Sequence, residues 1–244
     1  MPFGAPDFSN IRKEELVHRL DDLAEASVRT FVPVVYDRLG DVIYFDSFET
    51  GFVWSSQYPS SDKINFYVGY GCGLMSDRAL VFKLLSGYTG FSQIRKNIPF
   101  YSSRSLGISL NIRPSLYMNY IQVGLDALDG TNTYSCRVRL YKEDGSIQVR
   151  TPDGFKTIGY VTPQTFSVYD WIFVKLVANL QKERWERVIV NCFSMSARSY
   201  ALFKAPSGGV VEQVISLGLD ETTSADDWAF FDNVIVTINE PVSD

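Results

Sequence analysis

The chain has 244 residues, with 23 lysines and arginines against 28 aspartates and glutamates, so its formal net charge is −5 at pH 7. Hydrophobic residues make up 45%, which is ordinary for a globular protein, and the length suffices for one large domain or two small ones. The mild acidity argues against nucleic acid as a partner, because nucleic-acid binding needs a basic face. No run of 18 apolar residues is present, which argues against a membrane-spanning segment.

The first ten residues, MPFGAPDFSN, lack the basic start, apolar core and cleavage site of a signal peptide. We therefore expect synthesis in the cytoplasm, with incorporation into a virion or another particle left open. The three cysteines are too widely spaced for a zinc or redox motif. Two of them, Cys136 and Cys192, alternate with valine and leucine, which predicts that both face the interior of a strand.

One amphipathic α-helix is predicted over residues 9–31, because apolar residues recur there at helical spacing and Pro33 lies just beyond the end. We treat residues 1–39 as an N-terminal arm that contains this helix. Its apolar stripe must pack on the following domain or on a neighbouring chain. If it packs on a neighbour, the interface residues are Ile11, Leu16, Leu20, Leu23 and Phe31.

From about residue 40 the hydrophobic period changes from 3.6 to 2, and turn signals such as Asp129-Gly130 and Asp144-Gly145 separate the runs. The predicted strands are, in chain order, Asp41–Phe48, Ile64–Tyr70, Arg78–Leu85, Ser105–Ile112, Tyr120–Leu125, Tyr134–Tyr141, Ser146–Arg150, Phe155–Tyr160, Trp171–Leu180, Arg184–Phe193, Val210–Leu219 and Trp228–Ile238. About a dozen short strands without intervening helices predict one all-β antiparallel sandwich or barrel over residues 40–244.

The order of these strands carries a resemblance. The opening run YFDSFETG, the hairpin SCRVRLYKEDGSIQVR, the strands DWIFVKLVANL and RWERVIVNCF, and the closing strand AFFDNVIVTI follow one another as in a known superfamily. Residues 40–240 thus resemble the laminin-G-like, concanavalin A-like jelly rolls, which implies two antiparallel sheets whose first and last strands pair. A shared fold does not carry a shared function.

The same resemblance implies a structural calcium ion, since several groups of the superfamily hold one between their opening and closing strands. The matching positions are Asp46, Glu49 and Asp232. Calcium takes six to eight oxygen ligands, and backbone carbonyls would supply the others. The alternative is that these carboxylates make local turn and capping bonds. No other cofactor is expected.

Much catalytic chemistry is excluded by composition. The only histidine, His18, lies in the predicted helix, so the β-domain has no imidazole for a hydrolase triad or a zinc site. The resemblance includes laminarinase-type glycoside hydrolases, whose Glu-x-Asp-x-x-Glu strand motif is absent here. We therefore expect no catalytic residues and a protein that is not an enzyme.

Sugar binding needs only exposed aromatic platforms beside polar groups. The aromatic residues in or near predicted loops are the candidates for it, and packing in the core is the alternative for each of them. They are Trp54, Tyr58, Tyr88, Tyr101, Tyr117 and Trp228.

The favoured interpretation is a structural or assembly subunit, for example of a capsid, decoration or appendage, whose arm contacts neighbouring copies. The loops Tyr88–Phe91 and Pro99–Ser103 would supply further interface anchors. The alternative is a carbohydrate-binding module, and a glycoside hydrolase or lyase without the usual carboxylate motif comes third.

Overall fold

A computed structural model describes residues 40–49, 54–57, 64–74 and 77–242. The helix predicted over 9–31, with its five interface residues, lies outside the described residues, as does Tyr58. Within them the chain is all-β, without an α-helix, and a single 3-10 turn spans Pro163–Phe166. The boundary between arm and sandwich at residue 40 stays a prediction.

The first sheet has eight strands among the described residues, all paired antiparallel. Its order is β13 (Phe193–Ser196), β12 (Arg184–Val190), β11 (Ile172–Asn179), β6 (Ser105–Arg113), β16 (Asp227–Ile238), β4 (Arg78–Leu84) and β3 (Ile64–Tyr70). The strand β1 (Asp41–Asp46) pairs with the end of β16, so the first and last strands meet as the resemblance implies.

The second sheet also has eight strands within the described ranges, again antiparallel. Its order is β10 (Gly154–Tyr160), β9 (Ser146–Thr151), β8 (Asn132–Tyr141), β7 (Met118–Asp129), β15 (Val211–Thr222), β5 (Thr89–Ile98) and β2 (Ser55–Gln57). The short strand β14 (Phe203–Pro206) pairs with the beginning of β8.

One hydrophobic core fills the space between the two sheets. Alternate residues of each strand enter it, as in Leu106, Ile108 and Leu110 of β6, because successive side chains of a strand point to opposite faces. The indole of Trp185, fully buried on β12, donates from Nε1 to the Arg150 carbonyl of β9 at 2.8 Å. That bond joins the two sheets through the core.

The described part of the chain corrects several expectations. Four strands are absent from the sequence prediction: β2, β5, β13 and β14. The segment Tyr88–Phe91, expected to be a loop, leads into β5. Cys136 is buried as expected, but Cys192 is exposed because it lies in the turn between β12 and β13.

Candidate functional site

The second sheet turns a polar surface away from the core. On β7, Ile121, Val123 and Leu125 enter the core, so the alternate residues Gln122 and Gly124 point outward. The same alternation applies on β5, β8, β9 and β15. We call the outward surface of these five strands, with Phe155 of β10 and Phe203 of β14, the polar face.

Two rows of side chains cross the polar face at right angles to the strands. In the first row, backbone pairing aligns Gln93, Gly218, Gln122, Arg139 and Gln148. In the second, Arg95 is paired with Ser216, Ser216 with Gly124, and Gly124 with Arg137. Amide, guanidinium and hydroxyl groups from five strands therefore lie side by side.

Aromatic rings border these rows. Tyr120 stacks beside Phe91 with 6.0 Å between ring centroids, and it contacts Tyr141 at 5.0 Å. The Arg139 guanidinium lies over both Tyr120, at 4.6 Å, and Phe155, at 3.8 Å. Burial raises the pKa of Tyr120 to about 12, so its hydroxyl is neutral at physiological pH.

Two further arginines hold fixed positions on the face. Arg137 donates from Nε to Asp126 Oδ1 at 3.2 Å and from Nη2 to Asp126 Oδ2, which makes a bidentate ion pair. The Arg150 guanidinium lies 4.1 Å over the Phe203 ring. The Arg139 Nε donates to Gln122 Oε1 at 3.1 Å.

Several polar atoms of the face are buried without a hydrogen-bond partner among the described residues. They are Gln93 Oε1, Ser135 Oγ, Ser216 Oγ and Arg95 Nε. The residues Gln93, Ser135 and Ser216 are only 7%, 3% and 1% exposed. Buried polar atoms in proteins are almost always hydrogen-bonded. These four atoms therefore mark unmet hydrogen-bonding capacity on the face.

Two glycines let neighbouring side chains lie across the middle of the face. A side chain at Gly124 would collide with Ser216 Oγ and press against the Arg137 stem, and one at Gly218 would collide with the Phe91 ring. At both positions a Cβ would force a neighbouring side chain to shift, and neither glycine has a positive φ. The Phe91 ring lies over the space that a larger residue at 218 would fill.

A second cleft, of about 370 Å³, opens at one end of the sandwich. Its lining includes Phe100, Asp129, Tyr134 and Gln181. Beside it, Tyr134 donates to Glu183. No side chain of this lining has an unpartnered buried polar atom in the described part of the chain, unlike the polar face.

The aromatic residues singled out from the sequence do not form one surface. Trp54 and Tyr88 are buried in the core, and the Trp54 indole donates to Asp46 Oδ2 at 2.9 Å. Tyr117 and Trp228 are part-exposed near one end of the sandwich, where the Tyr117 amide donates to Asp227. Tyr101 is exposed in the loop after β5, at the other end.

The residues proposed for calcium make hydrogen bonds and a charge contact within the chain, and a calcium ion held by them stays a prediction. Asp46 accepts hydrogen bonds from the Tyr44 hydroxyl, the Phe48 amide and Trp54. Asp232 accepts from the backbone amides of Leu74 and Asn233, and Glu49 faces Arg78 at 3.9 Å. A calcium ion would have to share these oxygens with the donors that already bond to them.

No group of three or more histidine, cysteine, aspartate or glutamate side chains in the described ranges could hold a metal ion. The alternative, in which these carboxylates make local turn and capping bonds, accounts for the contacts of Asp46 and Asp232.

The residues that sequence reasoning missed are those of the polar face. The signal was present in β8, where Cys136, Val138 and Leu140 were assigned to the interior and Arg137, Arg139 and Tyr141 alternate with them. The same alternation exists in β5, but only Ile94 and Ile98 are hydrophobic on its inward side, and Phe91 lies on the outward side. That strand was therefore missed, and Gln93 and Arg95 with it.

No family model matches the sequence, and no curated protein is significantly similar to it. The structure is similar to a β-glucanase of Bacillus licheniformis, with 12% identity, a TM-score of 0.46 and coverage of 80% of this chain and 97% of that one. It is also similar to domain 4 of a GH43 extracellular arabinanase from Geobacillus stearothermophilus in complex with arabinotriose. The identity there is 14% and the TM-score 0.48, with coverage of 84% of this chain and 95% of that one. A third similar structure is an alginate lyase in complex with alginate tetrasaccharide, with 12% identity, a TM-score of 0.44 and coverage of 79% of this chain and 95% of that one.

The similar structures include glycoside hydrolases, a lyase and a xylan-binding domain, and the likeness is consistent with the concanavalin A-like fold expected from the strand order. They correct the expectation that the protein is not an enzyme, because the β-glucanase and the alginate lyase are enzymes. The virion and structural-protein interpretation finds no support among them. Among the described residues, no helix has the length and hydropathy of a membrane span.

Proposed function

We propose that this protein binds a carbohydrate along the polar face of its second sheet. The observation that carries the proposal is the row of Phe91, Tyr120 and Tyr141 next to the unpartnered buried atoms of Gln93 and Ser216. A sugar ring offers apolar C–H faces that stack on aromatic rings, and hydroxyl groups that both donate and accept hydrogen bonds. Both demands are met within one surface.

Packing does not account for this surface. The core between the sheets has its own aromatic contacts, such as Phe82 with Phe66 and Phe231. The polar face lies on the opposite side of the second sheet, where polar residues serve no core. A sheet that only needed solubility would carry solvated charges, whereas Gln93 and Ser216 are buried and polar.

Replacement of Tyr120 tests the proposal most directly, because its ring contacts both neighbouring aromatics and Arg139. We expect Tyr120→Ala to weaken glycan binding about tenfold, through loss of the stacking surface. Titration calorimetry against a panel of neutral and acidic polysaccharides measures this effect. Reducing-end release and ultraviolet absorbance of unsaturated products, recorded on the same mixtures, report cleavage.

The matched control is Tyr169→Ala, since Tyr169 is 86% exposed in a loop away from the polar face. That variant should bind like the unaltered protein. If Tyr120→Ala keeps full affinity and a native circular dichroism spectrum, the binding surface lies elsewhere and the proposal fails.

A further inference from the structure

The polar face concentrates positive charge on a protein whose net charge is −5. Four arginines point outward from three strands of the second sheet: Arg95 of β5, Arg137 and Arg139 of β8, and Arg150 of β9. Lysine is absent from this group. Arginine presents a planar fork of donors that matches a carboxylate, and it is less strongly hydrated than lysine.

Most of this charge is not neutralised within the chain. Arg137 pairs with Asp126, but Arg95, Arg139 and Arg150 have no carboxylate within ion-pair distance among the described residues. Elsewhere in the structure, arginines do meet carboxylates. Examples are Arg187 with Glu240 and Arg198 with Glu186.

Two of the arginines flank a buried serine hydroxyl in one row of the face. Arg95 and Arg137 share one row, separated by Ser216 and Gly124, so three strand spacings place their backbones roughly 14 Å apart. Ser216 Oγ lies between them, buried and without a partner among the described residues. Burial, followed by the nearby charge of Arg137, lowers the pKa of Arg95, and the carboxylate of Asp126 offsets part of this effect. An anion there would relieve this unfavourable environment.

We infer, resting on the proposed function, that the polar face selects an anionic glycan and binds its carboxylate groups between Arg95 and Arg137. The sugar rings then stack on the Phe91–Tyr120–Tyr141 row. Uronates and sulfated sugars share the required negative charge, and the planar guanidinium favours the carboxylate. Single-stranded nucleic acid also combines rings with negative charge, so oligonucleotides are included among the probes of the test.

The test uses the full-length protein and three groups of probes. The anionic glycans are polygalacturonate, alginate and heparin, and the neutral ones are fully methyl-esterified polygalacturonate, laminarin and xylan. Oligo-dT and oligo-dA represent nucleic acid. We expect an anionic glycan to bind at least tenfold more tightly than any neutral one, with an affinity that falls as salt rises from 50 to 500 mM, roughly as charge screening dictates. A preference for heparin over both uronates would assign the charge to sulfate.

The deciding variant is Arg95→Gln, which removes a guanidinium that makes no ion pair in the free protein. It should lose about tenfold in affinity for the anionic glycan and less than about twofold for a neutral one, since one charge-assisted contact is removed. Its melting temperature should equal or exceed that of the unaltered protein, because the charge near Arg137 is gone. Arg150→Gln is a second variant with the same expected loss of affinity.

The matched control is Arg113→Gln. Arg113 also lies over an aromatic ring, Phe230 at 4.5 Å, but it belongs to β6 of the first sheet. The Arg113→Gln protein should bind every probe with the affinity of the unaltered protein.

The outcomes separate the inference from the proposed function. The charge selectivity is overturned if free and esterified polygalacturonate bind equally and the other anionic glycans bind no more tightly than the neutral ones. It is also overturned if both Arg95→Gln and Arg150→Gln keep full affinity. Either result leaves carbohydrate binding standing. Tighter binding of the oligonucleotides than of any glycan overturns the inference. Absence of binding to all six polysaccharides overturns the proposed function as well.

Discussion

Glu221, near the end of β15, is a carboxylic acid in an unfavourable environment. It is fully buried, it accepts a hydrogen bond from the Ser115 hydroxyl at 2.5 Å, and its Oε1 has no partner among the described residues. Burial raises the pKa of Glu221 to about 7, and the charge of Asp227 acts in the same direction. The carboxyl is therefore protonated in the folded protein under mildly acidic conditions.

The raised pKa of Glu221 makes folding stability depend on pH. Below the unfolded-state pKa, near 4.5, both states are protonated and the residue costs nothing. As pH rises from there to about 7, the unfolded chain loses the proton while the folded one holds it, so stability falls by ~3 kcal/mol. We expect Glu221→Gln to remove this loss.

Urea unfolding at pH 5 and pH 8 measures the effect. The variant should match the unaltered protein at pH 5 and exceed it at pH 8 by that amount. If Glu221→Gln shows the same pH dependence as the unaltered protein, another group is responsible.

The face of a strand on which a side chain lies could be predicted well where the hydrophobic alternation was strong. Cys136 was placed in the core correctly, and the structure confirms it. The role of its neighbours Arg137 and Arg139 could not be predicted in the same way. An outward arginine on one strand indicates a binding surface only when the residues beside it on the adjacent strands are known. Trp54 and Tyr88 show the converse, since aromatic residues near loops can equally close a core.

At the scale of elements, the segment after β16 is fastened to the first sheet by a buried ion pair. Lys175 of β11 lies 2.9 Å from Glu240 Oε1, and both side chains are almost fully buried. Thr237 and Arg187 donate to the same carboxylate. The C-terminal segment thereby closes over β6 and β11.

Removing one partner of this pair should be costly. Glu240→Ala leaves the Lys175 ammonium buried without its carboxylate, and we expect a loss of roughly 3 to 5 kcal/mol in the free energy of unfolding. Lys175→Met combined with Glu240→Ala should recover a substantial part, because no charge is then buried. Guanidinium denaturation of the two variants checks this. A double variant no more stable than Glu240→Ala would show that the pair is not the source of the loss.

Strand prediction failed in a way that matters for function. The strand β5 carries Gln93 and Arg95 on its outward side, and the polar residues that equip it for binding are the ones that weaken its hydrophobic signal. The strands with a strong signal, such as β7 and β11, were found because both of their faces are largely buried. Sequence patterns therefore predict the core side of a sandwich better than the side that binds.

At the scale of the whole molecule, both sheets are built from strands between Asp41 and Ile238, and the first and last of these strands pair. The fold class could be predicted because turn signals and alternation recur along the chain. The site could not, because residues from Gln93 to Ser216 meet only through the register of five strands.

The sandwich should fold without the residues that precede it. We expect a chain of residues 40–244 to unfold in one cooperative transition, with a melting temperature within about 5 °C of the full chain, since a domain with its own core folds alone. Differential scanning calorimetry measures this. A broad, non-cooperative transition would mean that residues 1–39 belong to the folding unit.

The same two chains decide the prediction of self-association through Ile11, Leu16, Leu20, Leu23 and Phe31. Light scattering behind a sizing column should give a multiple of 27.6 kDa for the full chain and a monomer for residues 40–244. That pair of masses would assign the contact between copies to the arm, independently of the polar face. A full-length monomer would contradict the assembly interpretation, and an oligomer of both chains would move the contact to the sandwich.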